Sequence, residues 1–179
     1  MLAFCSLALL GAAPGAIVYS NPTYTVETLI VPANSPVSLS RFGKYGTARF
    51  NGKFLLTGKF TYGCAIDCEG PYKDAFFRFD IEPDASLAAR LPYYPRHKQD
   101  ILLVVTSNSA LLRSMLSASQ RASLRSDLRS EVTGRISLLV DQLEISLDCD
   151  SANYSARFVA ITKPPKFAQV AFTGDYACG

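Results

Sequence analysis

The chain has no tryptophan, one histidine and two methionines among 179 residues. A lone imidazole leaves little for a histidine-built metal site, and no G-x-S-x-G elbow presents a serine nucleophile. Charge is also sparse, at 18% of residues, and 18 basic against 15 acidic side chains leave a net charge of +3. That balance argues against a dedicated nucleic-acid binder. Glycine (11) and proline (10) are too few for a collagen-like or linker-dominated chain. What the sequence does have is apolar residues, 49% of the total, enough for a packed core and too many for a solvated disordered chain.

Charge is missing altogether from Met1–Ala16, where the apolar run Leu2–Leu10 precedes the small residues Gly11–Ala16 with Pro14 among them. This pattern reads as the hydrophobic and cleavage regions of a secretory signal over residues 1–16, processed after Gly15 or Ala16. The positive n-region usual in such a signal is absent, which leaves open a start codon upstream. The run falls short of the roughly 20 residues that a lasting membrane span requires. Beyond it, residues 17–45 read as a polar N-terminal extension and residues 46–179 as a single mainly-β domain.

Apart from Cys5, four cysteines remain: Cys64, Cys68, Cys149 and Cys178. An even count suits an oxidising compartment, and no C-x-x-C pair or nearby histidine favours zinc instead. Export to the periplasm or the exterior, with disulfides, is the expectation. Four cysteines allow three pairings. Local proximity favours Cys64–Cys68, within one turn-rich loop, and Cys149–Cys178, which would fasten the end of the chain.

Period-two alternation dominates from Thr47 onward. Ala48, Phe50, Phe54, Leu56, Phe60 and Tyr62 share one parity, with Asn51-Gly52 and Thr57-Gly58 marking either a bend in one long strand or a break between two. Ala75–Ile81 and Ile101–Thr106 read as further strands, and Asp84 as the cap of a short helix ended by Pro92. Over 107–130 the leucines change face between Leu116 and Leu124, which predicts two short helices with a kink near Ser119. Arg135–Asp148 reads as a long strand or hairpin. Ser155–Thr162 and Ala168–Ala177 read as two strands split by Pro164-Pro165. An earlier strand, Thr23–Val31, closes at Pro32, and Gly43–Gly46 reads as a turn.

From Phe54 the order is therefore three strands, a kinked helix, and two strands. That order resembles the OB-fold, a small Greek-key barrel, over roughly residues 47–162. The fold class expected is mainly β (α+β), an OB-fold-like barrel with its helix between the third and fourth core strands. The alternative is an open antiparallel sheet with helices on one face. The whole chain also resembles small exported bacterial domains of unassigned function.

Three groups of residues bear on chemistry. Tyr93, Tyr94, Arg96 and His97 lie in a basic, aromatic loop of the composition that recognises planar or anionic ligands, or that simply covers one end of a barrel. Arg121, Arg125 and Arg129 recur every four residues and so line one helix stripe, which meets phosphate, lipid headgroups or an acidic partner, or else faces only solvent. The acidic pairs Asp67/Glu69, Asp80/Glu82 and Asp148/Asp150 each share a strand face and allow a hydrolase reading, as does His97. No catalytic residue, metal or cofactor is called for. The expectation is a binding or interaction module for an unknown protein or a small anionic ligand, with a hydrolase as the alternative. Non-reducing peptide mapping tests the cysteine reading: Cys64–Cys68 and Cys149–Cys178 linkages are expected, and a cross-link between the two groups would refute that pairing.

Overall fold

The computed structural model describes residues 17–20, 28–43, 46–64, 77–97, 101–126, 130–148 and 151–171. Most of these residues are in strands: β1 (Ile17–Ser20), β2 (Thr28–Val31), β3 (Ser38–Phe42), β4 (Ala48–Asn51), β5 (Phe54–Cys64), β6 (Phe77–Pro83), β7 (Leu103–Thr106), β8 (Ser130–Asp148) and β9 (Ser151–Ala171). The described residues also form three helices, α1 (Ala85–Ala88), α2 (Ser109–Met115) and α3 (Ala118–Ser126), and a 3-10 turn at Pro95–His97 that lies between α1 and β7. No helix among the described residues is long and apolar enough to cross a membrane.

β1 and β2 form a separate antiparallel pair, while the other seven strands make one mixed sheet in the order β3-β4-β8-β5-β6-β7-β9. β8 also pairs with β9, so β5, β6, β7, β9 and β8 follow one another round a partial ring. The link between β7 and β9 is parallel, Leu103 opposite Tyr154, so the sheet is mixed and does not match the alternative of an open antiparallel sheet. From β5 onward the order of strands and of the α2–α3 pair is the one expected.

β4 and β5 turn out to be two strands laid end to end along β8, which pairs with Arg49 at Glu144 and with Phe54 at Val140. The interruption at Gly52-Lys53 faces a matching irregularity in β8, where Gln142 has a φ of 51°. The two C-terminal segments expected on either side of Pro164-Pro165 run as one strand, β9, to Ala171. The reason lies in register. Arg135 faces Lys166 and Ser137 faces Lys163, so two prolines oppose one residue of β8 and fall inside a bulge. There a missing N–H costs no ladder bond.

Two glycines let the ring curve. A side chain at Gly58 would collide with the Glu82 carbonyl, and one at Gly134 with the Lys166 carbonyl. Phe60 lies opposite Gly134 and Gly58 opposite Ile136, so both close approaches fall on the same stretch of the β5–β8 ladder.

The inward faces supply the core. Phe60 stacks on Phe79 with ring centroids 5.1 Å apart, and Tyr62 lies 6.1 Å from the same ring. Leu29, Val31 and Val37, from the segment read as an extension, are buried in the same core. α2 buries Leu111 and Met115, and α3 buries Leu124. The break between these helices is a capping box. Ser117 Oγ accepts from the Gln120 N–H at 3.2 Å, and Gln120 Oε1 accepts from the Ser117 N–H at 2.9 Å. Asp84 holds the cap position of α1, but its side chain makes no cap bond and pairs instead with Arg135 at 2.5 Å.

The Tyr93–His97 loop is tied down at two points. Tyr93 and Ile30 exchange both backbone hydrogen bonds at 2.9 Å. The Tyr94 ring is fully buried, and its hydroxyl donates to the Gly46 carbonyl at 2.5 Å. Tyr94→Phe leaves that buried carbonyl without its donor, and we expect a loss of about 1–3 kcal/mol in urea unfolding. An unchanged midpoint would show that the loop is not held this way.

Candidate functional site

A shallow, open concavity lies on the outer face of the β3–β4 hairpin. It has a volume of about 240 Å³ and is lined by Arg41, Gly43, Thr47 and Arg49. The hairpin closes through a hydrogen bond from the Gly43 N–H to the Thr47 carbonyl at 2.7 Å. Arg41 then lies directly opposite Arg49. Like charges in that relation repel and destabilise a strand pair.

This juxtaposition depends on one inserted residue. Leu39 faces Phe50, whereas Arg41 faces Arg49, so Ser40 is an extra residue and its hydroxyl donates to the Arg49 carbonyl at 2.9 Å. Strict alternation would give Arg41 the inward parity of Leu39. The bulge reverses that parity and turns Arg41 outward beside Arg49. Arg49 is matched by one carboxylate, its Nε lying 2.6 Å from Glu144 Oε2, where Glu144 is its cross-strand neighbour on β8. Arg41 has no acidic partner among the described residues. Two guanidiniums against one carboxylate leave the cleft with an excess positive charge, at a place where planar, forked donors suit an oxyanion.

The loop expected to recognise a ligand supports this hairpin from beneath. Tyr94 cannot offer its ring to a ligand, because the ring is in the core; its bond to Gly46 instead anchors the turn between Gly43 and Thr47. Tyr154, buried alongside Tyr94, donates to the Pro92 carbonyl at 3.2 Å, and burial pushes its phenol well above the ordinary value, so it remains a neutral donor. Tyr93 is half-buried, Arg96 is exposed and His97 is partly exposed in the 3-10 turn.

In the helix stripe, Arg121 donates to the Leu116 carbonyl at the end of α2 and so caps that helix. Arg129, Asp67, Glu69 and Asp150 lie outside the described residues, as do the side chains of Arg125, Asp148 and the cysteines. Asp80 and Glu82 both face outward on β6. Burial raises the Asp80 pKa, while Arg78, with its Nε at 3.2 Å, pulls it back down. At the Gln142 irregularity, Asp141 is held below the usual carboxylate range, chiefly by its hydrogen bonds from Arg157 at 2.8 and 2.9 Å. Among the described residues, no group of three histidine, cysteine, aspartate or glutamate side chains converges as a metal site would require.

No family model matches the chain, and no curated protein or solved structure matches it significantly.

Asp80 yields a test of the electrostatics. A carboxyl whose folded pKa is raised holds its proton to higher pH than in the unfolded chain, so its ionisation costs stability above that range. Asp80→Asn is expected to raise the melting temperature at pH 7, with the gain shrinking as pH falls towards the ordinary carboxylate value of 3.8. A lower melting temperature at pH 7 would mean that the Arg78 pair outweighs desolvation.

Proposed function

We propose that this protein is a binding module that takes a small anionic ligand in the Arg41–Arg49 cleft. The observation that carries the reading is the outward-turned arginine pair. A bulge sets two cations opposite each other at a cost in repulsion, and an oxyanion bridging both guanidiniums would repay that cost. Glu144 pairs with one of the two guanidiniums, that of Arg49, and is the internal competitor.

The module is best read as an OB-fold-like Greek-key barrel. The partial ring of β5-β6-β7-β9-β8, the parallel β7–β9 link and the α2–α3 pair between β7 and β8 support that reading. Its expected setting is the periplasm or the exterior, on the strength of the signal-like residues 1–16 and the four remaining cysteines. The hydrolase alternative draws on the raised Asp80 pKa, but the Arg78 partner suits an ion pair better than a free acid.

Calorimetric titration with inorganic pyrophosphate is the direct test. Saturable binding is expected, weakened by Arg41→Ala by about 1–2 kcal/mol, or roughly five- to thirty-fold. Glu144→Gln frees Arg49 and is expected to tighten binding. Arg41 is exposed, so its removal should change folding stability by less than about 0.5 kcal/mol. Binding that ignores Arg41→Ala, or no saturable binding at all, would overturn the assignment.

A further inference from the structure

A second concentration of positive charge lies on the outer face of β5, β8 and β9, near the other end of β8. Lys59 faces Arg135, and Arg135 faces Lys166, so three cations stand in one cross-strand row. Neighbouring strands are about 4.8 Å apart, which sets the row within roughly 10 Å. Lys163, opposite Ser137, adds a fourth. All four are exposed. Among the described residues, only Arg135 has a carboxylate partner, Asp84; Glu82 faces Lys59 at the margin of the row without an ion pair.

Four residues further along β8, about 13 Å away, the same face becomes aliphatic. Leu139 lies between Leu55 and Ala160. Leu55 is 51% exposed and the neighbouring Val159 36%. Between the two zones is a band of hydroxyls, with Thr57 Oγ1 2.9 Å from Ser137 Oγ and Thr162 Oγ1 donating to the Ser137 carbonyl at 2.9 Å.

We infer that this face docks on an anionic lipid bilayer, the lysine row meeting headgroups while Leu55 and Val159 enter the interface. Charge and exposed aliphatic surface on one face suit a membrane interface. A nucleic-acid strand would match the cations but leave the aliphatic zone in water, because that zone has no aromatic ring for bases to stack on. A second copy of the chain packed in parallel would set one lysine row against another, and an antiparallel copy would bury the row against the aliphatic zone. The inference is independent of the arginine cleft, which lies on β3 and β4.

Flotation of the full chain with vesicles of phosphatidylcholine and phosphatidylglycerol at 7:3 tests it. Binding is expected at 100 mM salt, weaker at 500 mM, and absent from pure phosphatidylcholine. Each lysine near an anionic surface contributes about fivefold. The double variant Lys59→Glu/Lys166→Glu should therefore lose at least about twenty-fivefold in partitioning. Leu55→Ser should lose severalfold without a change in far-UV circular dichroism, and Arg41→Ala should float like the parent protein. No flotation, flotation indifferent to charge reversal, or binding to a DNA oligonucleotide but not to vesicles would each overturn the proposal. Loss in Arg41→Ala would show that the cleft, and not this face, meets the lipid.

Discussion

β8 is the element on which the other strands depend. Its 19 residues carry β4 and β5 in tandem along one edge and β9 along the other, so the hairpin bearing the cleft and the five strands of the partial ring share one backbone. A strand of that length cannot stay flat and remain wrapped round a core, because sheet twist accumulates along it. The strain is released locally. Gly134 and Gly58 allow close backbone approaches, and the Gln142 irregularity offsets the register where β4 gives way to β5. Each release also changes what the outer face displays.

That consequence joins fold and function. Inward positions of β8 are fixed by packing, through Val132, Ile136, Leu138, Val140, Leu143 and Ile145. The outward positions between them carry Arg135, Ser137, Leu139, Asp141 and Glu144, a run from cation through hydroxyl and aliphatic side chain to carboxylate. Ion pairs neutralise part of this surface, as in Asp141–Arg157 and Arg135–Asp84. Exposed pairs of this kind add little stability. Their effect is to leave the positive excess in two places, beside Arg41 and along the lysine row.

Much of this architecture was legible in the residues. Alternation at 48–62 and 135–148, and the change of face between Leu116 and Leu124, located the strands and the helix break because those signals are local. Pro164-Pro165 misled for an equally local reason: proline reads as a strand breaker, and only the register with β8 reveals a bulge that accommodates both. The arginine cleft needed one further step. Arg41 and Arg49 lie four residues either side of Tyr45, and Gly43–Gly46 was legible as a turn, so a hairpin pairing them was within reach. Reading residues 17–45 as a polar extension hid it. The Ser40 bulge carries no sequence signal of its own, and without it Arg41 takes the inward parity. The lysine row was beyond reach, since Lys59, Arg135 and Lys166 meet only through the pairing of three distant strands.

Chemical-shift mapping of the isotope-labelled protein during a pyrophosphate titration tests the central claim, that the hairpin at the end of β8 is an anion site. The account predicts shifts centred on the Gly43 and Thr47 amides and the Nε–H groups of Arg41 and Arg49, with the lysine face silent at low pyrophosphate. Shifts centred instead on Lys59, Arg135 and Lys166, or none at the hairpin, would contradict it.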